Sequence, residues 1–285
     1  MTLALVQAYV PNQGSGWDYT LGYVERFLEL QRTAELDVPE DAHGGFLALA
    51  HTLGQRTAEL HGALSTRSGN PAFDPERVVA DDLLAWRHRA SNEAISTLAL
   101  LRERLPDLPA AVQQEALALL ALQAALMARI ATQGSAEATG FKTRYHGDFH
   151  LGQVLVTGND FVLIDFEGEP ARTFDERRTK GPALRDVAGM LRSFNYARWS
   201  ALKRVAINAE ERTRLGVAAH EWELATRTAF LAGYQGSASA TAEALDVELL
   251  ALFELEKACY ELRYELNNRV DWVQVPMHGI LTLIG

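Results

Sequence analysis

Apolar residues recur at helical spacing through most of this 285-residue chain, and one stretch, 141–168, breaks the rhythm. That contrast narrows the fold more than any other feature: a mainly α body with one small β island. Asp18 stands where it would cap a helix whose Leu21, Val24, Leu28 and Leu36 form one stripe. Further helices are expected over 45–64, 81–105 and 109–133, with Pro106 and Pro109 separating the last two, and over 184–196, 210–235 and 246–268. The leucines between Leu117 and Leu126 nearly encircle their helix, which predicts burial on all sides. Gly236-Ser237-Ala238-Ser239 reads as a flexible link. Residues 1–10 read as a single strand that runs into the turn-rich Pro11-Asn12-Gln13-Gly14-Ser15-Gly16, with its pairing partners expected outside the chain. Inside the island, Thr143-Arg144-Tyr145, Val154-Leu155-Val156 and Phe161-Val162-Leu163-Ile164 favour strands, and Gly158-Asn159-Asp160 supplies hairpin-turn chemistry.

Composition excludes some partners. A formal net charge of -10 argues against non-specific nucleic-acid binding, which rests on surplus Lys and Arg. It leaves an anionic nucleotide open, because a metal ion and a few local donors outweigh a distant average. The single cysteine, Cys259, falls on an apolar stripe and is expected to be a buried, inert thiol. No uninterrupted apolar run is long enough to span a bilayer and no cationic leader opens the chain, so no membrane partner and a cytoplasmic location are expected.

The acids of interest sit on the island. Asp148 follows His146-Gly147, an amide (Gln153) comes five residues later, and Asp165 ends the returning hairpin in Ile164-Asp165-Phe166-Glu167. Phosphoryl transfer asks for a group to take a proton from the acceptor hydroxyl and for metal ions to hold the phosphates. A loop carboxylate and a nearby amide supply a base and a metal ligand from one turn. A second carboxylate bridges metal and phosphate, and Mg²⁺ prefers such oxygen ligands.

These motifs resemble the catalytic and metal-binding loops of the aminoglycoside-phosphotransferase-like kinases, and among them the maltokinases, which are often fused to trehalose synthase. Three further stretches are similar to that family: Val10 to Thr20, Gly168 to Leu191, and Lys257 to Trp272. The resemblance implies the C-terminal lobe of a protein-kinase-like fold, using ATP and Mg²⁺ to phosphorylate maltose or a related sugar, with Asp148 as base and Gln153 and Asp165 on the metal. It implies that Glu167 assists metal or sugar, that Lys257, Tyr260 and Tyr264 bind the sugar, and that Gln7, Tyr9 and Val10 form a nucleotide hinge. His146 and Asp186 would brace the loop. By the same resemblance, residues 1–10 are a remnant of an N-terminal lobe, 11–285 the helical lobe, 141–168 its catalytic loop and 210–285 its sugar side. The partner would be the missing lobe or a trehalose synthase domain.

Alternatives stay open at this level. Another sugar, an aminoglycoside or a choline-like alcohol suits the same chemistry, as does a catalytically silent sugar-binding module. The alternation His146, Asp148, His150 also suggests a metal hydrolase, although zinc sites recruit further His or Cys. Asp186 stands at a helix start, where it caps backbone N–H groups, and is a brace or a ligand. Glu176-Arg177-Arg178-Thr179-Lys180 touches phosphate and sugar or is a solvated loop. Lys257 and Glu261 are spaced for an exposed i,i+4 pair.

Overall fold

The computed structural model describes residues 8–33, 43–134, 140–170, 172–237 and 245–285. Ten α-helices account for most of them: α1 (Gly16–Thr33), α2 (Gly44–Leu64), α3 (Ala80–Arg104), α4 (Ala110–Ala121), α5 (Gln123–Thr132), α6 (Phe174–Arg178), α7 (Leu184–Val205), α8 (Ala209–Ser237), α9 (Val247–Asn268) and α10 (Gln274–Ile284). Strands β1 (Glu76–Arg77) and β2 (Phe141–Lys142) pair antiparallel, Glu76 opposite Lys142. Strands β3 (Val154–Thr157) and β4 (Asp160–Leu163) form the expected hairpin, with Val154 opposite Leu163 and Thr157 opposite Asp160.

The core centres on α7 and α9, which bury apolar residues on several sides. Val187, Met190, Leu191 and Phe194 of α7 lie against α9's Leu252, Leu255, Cys259 and Leu262 in one cluster. Two glycines set the closest helix crossing: a Cβ on Gly54 of α2 would collide with the Phe230 carbonyl of α8, and one on Gly233 of α8 with the His51 carbonyl of α2. The hairpin is tied to this body by a bidentate pair, Arg56 Nε to Asp160 Oδ1 at 2.7 Å and Nη2 to Oδ2 at 2.9 Å. On its other edge, the Val156 amide donates to Gly14 O at 3.0 Å and the Gln13 amide to Val156 O at 2.8 Å. The connector before α1 therefore runs along β3 instead of hanging as a free turn.

Several expectations are corrected. Ser15, not Asp18, caps α1: its Oγ accepts from the Asp18 amide at 3.1 Å and donates to Asp18 Oδ2 at 2.8 Å. The helix expected over 109–133 is two, α4 and α5, bent by 51° at Leu122. With that bend one side faces out, leaving Leu117 54% and Leu122 40% exposed, so that stretch is not buried all round. Of Thr143-Arg144-Tyr145 only Thr143 pairs, bridging Gly181, and the strand lies just before it. Gly236 and Ser237 continue α8 and are no link. Leu36, Ala238, Ser239 and residues 1–7, which include Gln7 and most of the expected first strand, lie outside the described residues. No single described helix is long and apolar enough to cross a membrane. Cys259 is fully buried, and burial pushes its thiol pKa up, as an inert core residue requires.

Candidate active site

The loop from Tyr145 to Gln153 is held from beneath by one buried carboxylate. Asp186, in the first turn of α7 and 1% exposed, accepts from the His146 amide at 2.7 Å and the Gly147 amide at 2.9 Å. His61 Nε2 of α2 approaches the same carboxylate at 3.1 Å, and Tyr234 of α8 bonds the other ring nitrogen at 2.9 Å. Asp186 thus satisfies backbone N–H groups as expected, but those of the loop, not of its own helix. It holds the loop, and where it lines the smaller cavity its carboxylate is already committed to these partners.

His146 joins the loop to the end of the hairpin. Its Nε2 donates to Ile164 O at 2.8 Å and its Nδ1 accepts from the Asp148 amide at 3.4 Å, which fixes hydrogen on Nε2. The ring lies between Phe149 and Phe166, centroids 5.3 and 5.0 Å away. The Ile164 amide in turn donates to Gln153 O at 3.0 Å. Next in the chain, Asp165 is held at φ 63°, a left-handed conformation that costs a non-glycine residue about 1 kcal/mol or more. Gln153 Nε2 donates to Asp165 Oδ2 at 3.0 Å, so the two side chains predicted as metal ligands do stand together. An amide and a carboxylate, half-buried and exposed, are hard oxygen donors of the kind Mg²⁺ takes while keeping waters, and the pair fits that ion. His146 and His150 do not fit zinc. Both His146 nitrogens are used in bracing, and His150 Nδ1 accepts from the Gly152 amide at 3.0 Å.

Asp148 stands where two cavities meet. One, about 760 Å³, is walled by Trp17 and Asp18 of α1, His150, Tyr196 of α7, and Glu261 and Glu265 of α9. The other, about 470 Å³, opens toward α3 and the segment around α6. Asp148, Glu169, Lys257, Tyr260 and Tyr264 line both. Gln153 and Asp165 are outside these two walls, on the hairpin side of the loop; His150 links the groups, its Nε2 3.9 Å from Asp148 Oδ2 and its ring within reach of the Asp165 charge.

Around Asp148 the electrostatics are particular. Lys257 Nζ is 3.2 Å from Glu169 Oε2 and 4.0 Å from Asp148 Oδ1, and Tyr260 donates to Glu169 Oε1 at 3.1 Å. Burial, then the charge of Glu169, raises the Asp148 carboxyl above its ordinary pKa, and Lys257 opposes them. Burial acts on Glu169 in the same sense, but the charge and hydrogen bond of Lys257, with Tyr260, bring it below the usual range. Burial chiefly, with Lys257 behind it, lowers His150 to about 4, so this imidazole is uncharged at neutral pH. Asp148 is thus a carboxylate whose affinity for a proton is enhanced, beside a second that keeps its charge.

Two predicted residues behave differently from expectation. Glu167 is exposed and offers its backbone carbonyl to Arg177 at 3.4 Å; after it the left-handed Gly168, φ 75°, redirects the chain so that Glu169 faces the cavities. Sequence reading missed Glu169. The signal available was its place two residues after Glu167, in the same acidic run, and the long-range contact that decides between them is absent from local spacing. The Lys257–Glu261 pair is not formed: Lys257 turns to Glu169, and Glu261 pairs with Arg192 at 2.8 Å. Of the run 176–180, Glu176 closes a capping box with Thr173, and Lys180 bonds Pro71 O and Glu76. Tyr9, 82% exposed, and Val10 lie in the segment before α1 and belong to no regular element.

Comparison with known proteins gives a consistent set of relatives. Residues 39–244 match the family described as "Phosphotransferase enzyme family". A glucosamine kinase of Streptacidiphilus jiangxiensis is 29% identical over 284 residues, which cover 99% of this chain and 58% of that protein. A glucosamine kinase of Mycolicibacterium smegmatis is 28% identical over 291 residues, 98% of this chain and 62% of that protein. A solved glucosamine kinase in complex with glucosamine, ADP and inorganic phosphate shares the fold with a TM-score of 0.76 at 26% identity, over 98% of this chain and 59% of that one. The chain spans about three-fifths of the length of these relatives.

Proposed function

The chain belongs to the phosphotransferase enzyme family, and on that footing we propose that it serves ATP-dependent phosphorylation of a sugar hydroxyl, with an amino sugar of the glucosamine type as acceptor. One observation carries the reading: a loop carboxylate, Asp148, immobilised through Asp186 and made more basic by burial and Glu169, at the junction of two cavities beside the Gln153–Asp165 pair. In this reading Asp148 takes the proton of the acceptor hydroxyl as that oxygen bonds to the γ-phosphorus and the bond to ADP breaks. Asp165 and the Gln153 amide oxygen would hold Mg²⁺, which when bound neutralises phosphate charge. Lys257, Tyr260 and Tyr264 offer the sugar a donor and aromatic faces.

The choice of an amino sugar rests on charge. The larger cavity is walled by five carboxylates, Asp18, Asp148, Glu169, Glu261 and Glu265, against two cations, Lys257 and Arg269. Such a wall favours an ammonium group over a neutral ring. The glucosamine kinases among the relatives support the same choice. Maltose is the second reading, favoured by the second cavity of about 470 Å³ that shares Tyr260 and Tyr264 with the first. We further read residues 11–285 as a helical lobe that works with a nucleotide-covering lobe, Tyr9 and Val10 lying at the hinge; the share of each relative that the chain covers supports this. The test is phosphorus NMR of the products formed with glucosamine, glucose and maltose on the longest natural form of the protein. Glucosamine should exceed glucose in kcat/KM by about tenfold or more, the worth of one charge-assisted contact. Preference for either neutral sugar would overturn the assignment.

A further inference from the structure

The side chain of His150, two residues beyond Asp148 in the loop, has no part in the transfer scheme, yet it is held firmly in one pose. The Gly152 amide donates to its Nδ1 at 3.0 Å. A backbone N–H can only donate, so Nδ1 is bare and the ring hydrogen sits on Nε2. Gly152 also leaves the space that the ring occupies: a Cβ there would stand 2.8 Å from Cε1 and 2.9 Å from Nδ1. The imidazole is therefore fixed in orientation and tautomer, and it joins Asp148 in the wall of the larger cavity.

Among the described residues, Nε2–H has no acceptor within hydrogen-bond distance; Asp148 Oδ2 is 3.9 Å away. That separation is about 1 Å too long for a direct bond, and short enough for one oxygen to reach both at about 2.8 Å from each. The other oxygen of the carboxylate, Oδ1, faces Lys257 Nζ at 4.0 Å instead. A hydroxyl suits the gap by its own valence. Its hydrogen goes to Oδ2, one lone pair accepts from Nε2–H, and the second lone pair is left for phosphorus. The competing account is local: His150 also caps the short turn Leu151–Gln153, which carries the amide placed on the metal.

We infer that His150 is a further catalytic residue of the proposed phosphoryl transfer, on which this inference rests, holding the reacting hydroxyl between its Nε2–H and Asp148 Oδ2. In the step, the hydroxyl proton passes to Oδ2, the oxygen lone pair bonds the γ-phosphorus, and the bond from phosphorus to the ADP oxygen breaks with its electrons. His150 neither gains nor loses a proton; its hydrogen bond strengthens as negative charge develops on the oxygen. The test is a pair of substitutions in the longest natural form of the protein, assayed with whichever of glucosamine, glucose and maltose it phosphorylates fastest. His150→Asn sets an amide oxygen near the place of Nδ1, keeping the Gly152 contact and losing the far N–H. His150→Gln carries an N–H toward the place of Nε2 and gives up that contact. The Asn variant should lose about a hundredfold in kcat with sugar KM changed less than about tenfold, and the Gln variant should stay within about tenfold of the parent. A second measurement needs no turnover: in nitrogen and proton NMR of histidine-labelled protein, the His150 Nε2–H signal should move downfield when that sugar is added. An Asn variant as fast as the Gln variant or faster, as capping alone predicts, or an unmoved Nε2–H signal at saturating sugar, overturns the inference and leaves the proposed function standing. A wild type that phosphorylates none of the three sugars overturns the proposed function, and the inference with it.

Discussion

Lys257→Met and Glu169→Gln should move the titration of Asp148 in opposite directions. Lys257 Nζ lies 4.0 Å from Asp148 Oδ1. At that separation a charge pair is worth about 4 kcal/mol near a protein surface with an effective dielectric of about 20. The Lys257 side chain is 31% exposed, so solvent screens much of this, and about 1–2 kcal/mol, or roughly one pKa unit, should remain. The sign follows from which form each neighbour favours. Losing the ammonium removes support for the carboxylate, so the already raised midpoint of Asp148 climbs further in Lys257→Met. Losing the Glu169 charge removes a repulsion and leaves Lys257 to Asp148 alone, so the midpoint falls in Glu169→Gln. The two carboxyls titrate as a pair in the wild type, and the quantity to follow is the higher macroscopic midpoint. Carboxyl carbon NMR on aspartate- and glutamate-labelled protein reads it without any need for turnover. The acid limb of the rate profile should move with it, toward higher pH in Lys257→Met. Shifts of the same sign in both variants, or none in either, would refute the electrostatic reasoning.

Asp186→Asn should lower unfolding stability by about 2–4 kcal/mol in urea titrations, because a buried acceptor of two loop amides becomes an amide with its own unsatisfied hydrogens; a stability unchanged within about 0.5 kcal/mol would remove the brace. Asp165→Asn should cut Mg²⁺-dependent ATP affinity about tenfold or more while leaving sugar affinity intact, as read by calorimetry with each ligand in turn; an equal loss for the sugar would place the residue on the acceptor side. Glu167→Gln should leave turnover within about twofold, since that side chain faces solvent, whereas Glu169→Gln should reduce it at neutral pH.

The sequence carried the helical body well, since apolar stripes such as Leu252, Leu255, Cys259, Leu262 and Leu266 are a local record of which face is buried. The hairpin was equally plain, because Gly158-Asn159-Asp160 is turn chemistry that needs no distant partner. The brace at Asp186 could be suspected from its place at a helix start, yet which amides it serves depends on a loop 39 and 40 residues away. Other features were hidden for the same reason. Glu169 acquires its role from Lys257, 88 residues on, and Lys257 abandons its neighbour Glu261 for that contact. The bend at Leu122 has no glycine or proline to announce it. The acid-lined cavity was the least accessible feature, because it draws on α1, α7 and α9, none of which carries the signal alone.

Replacing Asp148 by asparagine probes the reaction itself: it keeps the size of the group and removes its capacity to accept a proton. On the longest natural form of the protein, transfer of phosphoryl from ATP to glucosamine should fall about a thousandfold, within the usual span for a general base. Calorimetric affinity for the sugar should stay within about threefold. A variant that still phosphorylates at close to the parental rate would contradict the account at its root.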